Sequence, residues 1–474
     1  MPTSNAVPCP RGAARHLWLA LALSVGFSHP AWAHAHLRKS DPGAHATVSP
    51  PGAIRLWFTE EPELMLTVVR LTDSAGTVVA LGAPLHDVDG ALSVRLSIAT
   101  ALHPGRWTVT WKTAALDGHP SNGTFTFRVA ELAPAVTTLP SLGANSAGVI
   151  TPPAAPAKAE SPAASNDPDA LTPMYVVARA LSFIALLALI GAAAFRYTVV
   201  ARLPRGLVAD SGVMMPRLAT GATAAAVFYL VAAAVRLSLQ NQMMTGDAML
   251  DTAHMRSMAM ETHWGAIWRL QFGAGVAALL AALSARRGQA AAWPVIALCA
   301  IALALSSALG GHAAGSESFR TLSVVDDTLH VVGAAGWLGS LLWLTVVAIP
   351  SLQRANDRAS KIASMVRAFS PTALGFAALV GATGLVSAWL RLGSVHMLWS
   401  SSYGQALLVK LILLGGVAAT GFYNWRYVQP ALGTDGASAR LLTSARAELV
   451  VGLLVIIATA VLVAMPTPMM PAAQ

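Results

Sequence analysis

Residues 180–194 read ALSFIALLALIGAAA, an apolar run that contains no charged side chain. With the apolar residues that flank it, this run supplies the roughly 20 residues that a helix needs to cross a bilayer core. Eight stretches of this kind follow one another, centred near Leu186, Val227, Val276, Leu303, Gly336, Leu379, Leu413 and Ile456. The pattern predicts an all-α polytopic membrane domain with eight transmembrane helices over residues 171–474.

The composition agrees with a chain that lies mostly in lipid. Of the 474 residues, 55% are hydrophobic and 11% are charged, and the mean hydropathy is +0.58, which is too apolar for an ordinary soluble protein. The net charge of +9 is spread between apolar runs and is not clustered with aromatic residues, so the expected partner is the bilayer and not a nucleic acid.

The basic residues also predict the orientation of the helices. One set of loops is rich in arginine and lysine, at Arg196, Arg202, Arg205, Arg217, Arg286, Arg287, Arg354, Arg358, Lys361, Arg367, Arg426, Arg440 and Arg446. The alternate loops hold far fewer, chiefly Arg256, Arg320 and Arg391. By the positive-inside rule the first set is cytoplasmic. We therefore expect a bacterial inner-membrane protein whose N-terminal domain and C-terminus face the periplasm.

The N-terminus has the pattern of a signal peptide over residues 1–33. Arg11 and Arg15 precede an apolar run over residues 17–27, and Ala31-Trp32-Ala33 supplies the small residues of a cleavage site. Cleavage after Ala33 would make His34 the first residue, whereas cleavage after Ala35 would expose His36. Cys9 would be removed and Cys299 would remain, so no disulfide framework is expected.

Residues 34–130 predict a small all-β sandwich. Polar and apolar residues alternate with period two in segments such as Trp107-Thr108-Val109-Thr110-Trp111, and turn signals such as Asp89-Gly90 separate the segments. Residues 131–170 are rich in Ala, Pro and Ser and predict a disordered linker. A linker of this length reaches on the order of 35 Å, so the β-domain would stay near the membrane.

A metal site is predicted at the mature N-terminus. His34 would offer both a free α-amine and an imidazole, and His119, two residues after Asp117, would add a third nitrogen with a carboxylate nearby. Cu(II) prefers this kind of nitrogen and oxygen environment. The alternative interpretation of Asp117-Gly118-His119 is a turn with a surface histidine.

Within the membrane domain, two sets of side chains are candidate ligands. Asp327 and His330 are three residues apart on one predicted helix face, and His312 ends the preceding span on the outer side. The alternative for Asp327 and His330 is hydrogen bonding to neighbouring helices. The outer loop between the second and third spans holds thioethers and imidazoles that suit Cu(I), at Met243, Met244, Met249, His254, Met255, Met258, Met260 and His263. Methionine is also ordinary apolar filling at a membrane surface.

The β-domain resembles the periplasmic copper-resistance protein family CopC. The resemblance rests on His34-Ala35-His36-Leu37, Ser40-Asp41-Pro42, Trp111, Asp117-Gly118-His119-Pro120 and Gly123-Thr124-Phe125. It implies a Greek-key sandwich of the Ig or cupredoxin-like kind that binds Cu(II) through His34, Asp117 and His119. The methionine-rich segment with which some members bind Cu(I) is not visible in this β-domain, where Met65 stands alone.

The membrane domain resembles the CopD family. The resemblance rests on Gly311-His312-Ala313, Asp327-Thr328-Leu329-His330, Trp337, Arg367-Ala368-Phe369-Ser370, Gly384, Tyr403-Gly404 and Lys410. It implies a fusion of CopC with CopD that carries copper across the inner membrane and contributes to copper homeostasis and resistance. Import is the expected direction, with periplasmic copper carriers or a reductase as further partners.

Other functions remain open from the sequence. A proton-coupled copper exporter would use the same parts. Paired histidines such as His312 and His330 would alternatively ligate haem in a membrane redox protein, and an N-terminal copper-chelating histidine also occurs in oxidative enzymes. The sequence has neither a Walker loop nor an Asp-Lys-Thr-Gly phosphorylation motif, so ATP-driven transport is not expected and the chain is predicted not to be an enzyme.

Overall fold

The computed structural model describes most of the two predicted domains, namely residues 35–115, 118, 120–131, 173–207, 212–245, 252–311, 319–352, 357–392, 394–432 and 435–465. The predicted signal peptide and nearly all of the predicted linker lie outside these residues. So do five of the predicted ligands, His34, Asp117, His119, Met249 and His312.

The N-terminal domain is a two-sheet β-sandwich, which confirms the predicted all-β fold. Its nine strands are β1 (Leu37–Asp41), β2 (Thr47–Val48), β3 (Ala53–Phe58), β4 (Val68–Asp73), β5 (Val78–Val79), β6 (Leu85–Asp87), β7 (Gly90–Ser97), β8 (Gly105–Ala114) and β9 (Pro120–Val129). One sheet has the order β1-β3-β7-β6 and the other has the order β2-β9-β8-β4-β5. Most strands that lie side by side in a sheet are not consecutive in sequence, so several connections cross from one sheet to the other.

The alternating pattern read from the sequence places the core of this sandwich. Along β8 the side chains of Trp107, Val109 and Trp111 are buried, whereas Thr110 is exposed. Trp111 meets Phe58 of the opposite sheet edge-on, with ring centroids 5.3 Å apart. One face of the β8 sheet is therefore committed to the core, and its other face is available to a second domain.

The second part of the chain is helical, and its described residues contain eight helices long and apolar enough to cross a membrane. These are span 1 (Pro173–Arg202), span 2 (Met214–Met244), span 3 (His263–Arg286), span 4 (Ala292–Leu309), span 5 (Arg320–Leu352), span 6 (Arg358–Leu392), span 7 (Ser402–Ala431) and span 8 (Arg440–Leu462). Each predicted centre falls inside one of them, so the eight-helix prediction is confirmed. A separate helix, Thr252–Glu261, lies between spans 2 and 3 and is called the loop helix below.

Small residues allow the central spans to cross closely. A Cβ added at Gly191 of span 1 would lie 2.4 Å from the Cα of Gly339 in span 5, so the two backbones touch. The indole N–H of Trp343 in span 5 donates a 2.8 Å hydrogen bond to the carbonyl of Ala188, which lies one turn before Gly191 in span 1. Span 1 is thereby fixed against span 5.

One detail of the orientation pattern is wrong. Arg391 does not lie in an outer loop but in the last turn of span 6, where its guanidinium is 2.7 Å from the carboxylate of Asp327 in span 5. An intramembrane partner, and not the loop, accounts for this arginine. Arg320 begins span 5 and Arg256 lies in the loop helix.

Candidate functional site

The predicted copper triplet Asp117-Gly118-His119 connects β8 to β9, and Gly118 is the member that the structure describes. Its N–H donates to the carbonyl of Ala115 over 2.8 Å. Pairing between the two strands begins at Ala114 and Pro120. The triplet therefore lies at the end of the longest hairpin of the sandwich.

The N-terminal segment lies at the same end of the sandwich as the triplet. The N–H of Thr59 donates to the carbonyl of His36 over 2.9 Å, and the N–H of Glu63 donates to the carbonyl of Ala114 over 2.8 Å. Thr59 and Glu63 are four residues apart, which is at most about 14 Å of chain. The segments that precede β1 and follow β8 are thus held near each other, as a site built from both would require.

Ala35 anchors the start of the domain. Its side chain is fully buried in the sandwich core. The next residue, His36, donates its N–H to the hydroxyl of Thr59 over 2.9 Å, and burial lowers the pKa of its imidazole. The described chain is therefore tied to the folded domain from its first residue, Ala35, onward.

The triplet is also in contact with the membrane domain. The side-chain amide of Gln240, near the end of span 2, donates a 2.5 Å hydrogen bond to the carbonyl of Gly118. The hydroxyl of Tyr175 donates to the amide oxygen of Gln240 over 2.9 Å, and Arg179 donates to that hydroxyl over 3.3 Å. These three side chains of spans 1 and 2 are all buried. They form a continuous polar chain from Gly118 of the predicted copper triplet into the membrane domain, which we call the docking chain.

Position 118 admits only glycine for two reasons. Its φ is +82°, a conformation that side chains disfavour, and an added Cβ would lie 2.3 Å from Cδ1 of Trp264 in span 3. Trp264 is itself buried. The backbone of Gly118 therefore packs directly against this indole ring.

Two further polar contacts flank the docking chain. The backbone N–H of His263 donates a 2.9 Å hydrogen bond to the carboxylate of Glu63, and Lys112 of β8 donates to the carbonyl of Met243. Burial raises the pKa of Glu63, and the hydrogen bond from His263 offsets part of that rise. The carboxylate is thus held at a desolvated contact between the two domains.

Apolar side chains complete the interface. Ala114 and Leu66 of the β-domain pack in one cluster with Leu237, Met244, Met258 and Trp264 of the membrane domain. Beside this cluster lies a cavity of about 470 Å³ whose walls come from both domains. Its β-domain wall comes from the turn Leu64–Leu66 and from strands β4 and β8.

The eight ligand candidates of the outer loop do not form one group. Met244, His254 and Met258 line the cavity. Met255 packs in the interface cluster, where its sulfur accepts from the hydroxyl of Ser238 over 3.9 Å. The others are dispersed: Met243 packs near Tyr175, Met260 is 59% exposed, His263 begins span 3, and Met249 lies outside the described residues.

The intramembrane candidates lie between spans 5 and 6. Asp327 pairs with Arg391, and the Nδ1 atom of His330 is 2.9 Å from the hydroxyl of Thr383. A neighbouring carboxylate, Asp326, accepts a 2.7 Å hydrogen bond from Ser387 and is only 6% exposed. Lys410 of span 7 interacts electrostatically with Asp327 and Arg391. These groups form a polar cluster at the end of the bundle where spans 5 and 7 begin and span 6 ends.

Sequence reasoning missed three of the residues described above. Asp326 was visible as the neighbour of Asp327 in an apolar span, but helix periodicity favoured the pair Asp327 and His330. No sequence pattern marked Gln240, because its partner is a backbone carbonyl 122 residues away in the sequence. Met65 lines the cavity with methionines of the other domain. Among the described residues, no three His, Cys, Asp or Glu side chains converge as a metal site.

Comparison with known protein families agrees with this division of the chain. The CopC domain model matches residues 37–130. The model for the N-terminal domain of copper resistance protein D-like proteins matches residues 169–322, and the copper resistance protein D model matches residues 363–462. The chain is a CopC–CopD fusion protein. Its CopC part is the sandwich that contacts spans 2 and 3, and its copper resistance protein D match includes Arg391 and Lys410 of the polar cluster.

Named relatives cover the fusion and its first domain. The copper transport protein CutJ of Bacillus subtilis is 26% identical over 466 residues, which is 96% of this chain and 79% of CutJ. The protein YobA of Escherichia coli K12 is 36% identical over 120 residues, which is 24% of this chain and 96% of YobA. The crystal structure of CopC from Methylosinus trichosporium OB3b is 25% identical, covers 20% of this chain and 93% of that protein, and has a TM-score of 0.19.

Proposed function

We propose that the chain captures copper on the periplasmic face of the bacterial inner membrane and moves it inward across that membrane. In this proposal residues 1–33 are removed and the new N-terminus faces the periplasm. The β-domain then binds Cu(II) through the amine and imidazole of His34 together with Asp117 and His119. The family membership and the name of CutJ, a copper transport protein, support copper as the cargo.

The observation that carries the proposal is the docking of the copper triplet on the membrane domain. The carbonyl of Gly118 accepts from Gln240, and its backbone rests on Trp264. Copper held by the residues on either side of Gly118 would lie next to the outer ends of spans 2 and 3. A capture domain that released its ion at random into the periplasm would need no such contact.

The burial of Ala35 supports cleavage after Ala33. Its side chain fills a place in the sandwich core, so removal of Ala35 with the signal peptide would leave a small void. Cleavage one residue earlier keeps Ala35 and leaves His34 free to supply two nitrogens. We therefore assign the terminal ligand to His34 and not to His36.

Inward transport is proposed on energetic grounds. The sequence has no recognisable ATP-hydrolysing motif, and an inside-negative potential favours entry of a cation by about 2.3 kcal/mol per charge per 100 mV. The polar cluster with Asp326, Asp327 and His330 is the proposed path through the outer half of the membrane domain. Charged and polar groups inside spans ordinarily face such paths and not lipid.

Copper content of cells expressing the protein tests this function. Expression should raise cell copper and copper sensitivity, and His119→Ala or His330→Ala should abolish both effects at unchanged protein level. His396→Ala is the matched control, because His396 is an exposed histidine between spans 6 and 7. A fall in cell copper would replace import by proton-coupled export, and unchanged copper with a haem absorption band would favour the redox protein.

A further inference from the structure

The cavity between the two domains has the side chains of a soft-metal site. It is lined by Met65 from the β-domain and by Met244, His254 and Met258 from the membrane domain. Met244 and Met258 are 6% and 3% exposed, so their sulfur atoms belong to the interior of the interface. Binding sites often lie in cavities at domain interfaces.

We propose that Met65, Met244, Met258 and His254 form a Cu(I) site shared by the two domains. The proposal rests on the proposed function: once a periplasmic reductase has donated one electron and converted the captured Cu(II) to Cu(I), this site gives the ion its first position on the membrane domain. Met65 lies in the short turn Leu64–Leu66, between Leu64, which packs against the β-sandwich core, and Leu66, which packs against the membrane domain. Met65 is 56% exposed, so its side chain has freedom to reach the cavity.

The chemistry of the cavity walls favours a soft monovalent ion. Thioethers and imidazole bind Cu(I), whereas Cu(II) and hard divalent cations favour harder nitrogen and oxygen ligands. Arg70 and Lys112 also line the cavity, and Lys112 is engaged by the carbonyl of Met243. Coulomb repulsion from these two cations is twice as large for a divalent ion as for a monovalent one. The thioethers and the two cations of the walls therefore favour Cu(I) over Cu(II).

A shared site would couple copper binding to docking. If ligands from both domains hold one ion, Cu(I) must bind the docked state more tightly than the undocked state, and by reciprocity it must strengthen docking. Methionines that only fill space would not give this effect. The coupling separates a metal site from ordinary packing.

The test uses full-length protein in lipid nanodiscs, titrated without oxygen by Cu(I) from a chromophoric chelator. The double change Met244→Leu, Met258→Leu should weaken this Cu(I) site at least tenfold and reduce its sulfur signal in X-ray absorption, and Met65→Leu should weaken it as well. Leucine replaces methionine at little cost in packing. Met260→Leu is the matched control, since Met260 belongs to the same loop helix but is 59% exposed.

Docking is measured in the same samples by energy transfer between dyes on Val88→Cys and Val395→Cys. Both positions are well exposed, one on the β-domain and one between spans 6 and 7. Cu(I) should increase the urea concentration needed to separate the dyes in the wild type and not in the double variant. Unchanged Cu(I) affinity in the double variant would overturn the proposal. Weaker Cu(I) binding in the double variant without any effect of Met65→Leu would overturn the claim that the β-domain supplies a ligand. Cellular copper uptake is scored separately, so a failure of transport is distinguishable from a failure of this site.

Discussion

Gln240 of span 2 donates its side-chain amide to the backbone carbonyl of Gly118, at the centre of the predicted copper triplet. Gln240 is 1% exposed, and its amide oxygen is satisfied by Tyr175. One buried side chain therefore uses both ends of its amide to connect the β-domain to span 1. The contact is specific in a way that apolar packing alone is not, because a shift of the triplet would leave buried polar groups without partners.

Replacing Gln240 by leucine should weaken docking. The carbonyl of Gly118 and the hydroxyl of Tyr175 would lose their partner, at an expected cost of about 1–3 kcal/mol. The measurement is the urea concentration at which energy transfer between dyes on Val88→Cys and Val395→Cys is lost. Gln271→Leu is the control, since Gln271 is also buried but lies inside span 3. An equal effect of both changes would mean that Gln240 acts on the membrane domain as a whole.

Gly118→Ala should disturb docking through two separable causes. The positive φ at this position costs roughly 1–2 kcal/mol for a residue with a Cβ, and the Cβ would also meet Trp264. The change Trp264→Ala removes only the second cause. In a double-mutant cycle the two changes should therefore be less than additive by about 0.5–3 kcal/mol. Strict additivity, read from the same urea midpoints, would contradict the contact between Gly118 and the indole ring.

Docking should respond to pH through Glu63. Burial at the interface raises its pKa, so the docked state binds a proton more readily than the undocked state does. Docking is then weakest at pH values above the raised pKa. It becomes more favourable as the pH falls through that pKa towards the ordinary value near 4.5. Glu61, whose charge also raises this pKa, and His263 are the neighbouring titratable groups.

The same dye pair measures this pH dependence. Between neutral pH and pH 5 the urea midpoint for undocking should rise in the wild type and stay flat in Glu63→Gln. Glu61→Gln is the control, because it removes a neighbouring charge and leaves the hydrogen bond from His263 to Glu63 in place. A slope that persists in Glu63→Gln would assign the effect to another group.

The sequence predicted the elements of this fold better than it predicted their assembly. Alternation placed Trp107, Val109 and Trp111 in the sandwich core, because a two-residue period has only one consistent buried face. Hydropathy located all eight spans, since length and apolar character are local properties. The Ala/Pro/Ser composition of residues 131–170 predicted a tethered β-domain, and gave no sign that the outward face of β4 and β8 lies against span 2 and the loop helix. Contacts between Gly118 and Gln240 join distant segments, and no local pattern encodes them.

The candidate ligands were likewise predictable by residue type but not by their arrangement in space. The methionines of the outer loop were recognisable by type, but helix geometry separates Met258, which lines the cavity, from Met260, which is exposed. Met65 was dismissed as isolated because its neighbours in space belong to another domain. In span 5, Asp326 and Asp327 are adjacent in the sequence, which does not show that they have different partners. Only the position of Arg391 shows that Asp327 has a cationic partner, while Asp326 is hydrogen-bonded by Ser387.

That difference predicts opposite consequences for the two carboxylates. Arg391→Gln should destabilise the membrane domain by several kcal/mol, because it leaves Asp327 charged and without its partner in a desolvated place. The double change Arg391→Gln, Asp327→Asn removes both charges and should restore much of the folded protein. The yield of monodisperse protein in detergent, with its thermal unfolding midpoint, measures both effects. A double variant as unstable as the single one would show that the ion pair is not the relevant interaction.

Asp326→Asn should instead spare the fold and impair transport. The asparagine keeps the shape of the side chain and an oxygen for the hydroxyl of Ser387, so folding should change by no more than about 1 kcal/mol. It removes a negative charge from the proposed cation path, next to a pair in which Asp327 is already neutralised by Arg391. Copper accumulation by cells should therefore fall at least as much as with His330→Ala, at wild-type protein level. Glu448→Gln is the control, because Glu448 is also buried but lies in span 8, where it is hydrogen-bonded by Asn424. Full copper accumulation with Asp326→Asn would exclude this carboxylate from the path and leave Asp327 and His330 as its polar groups.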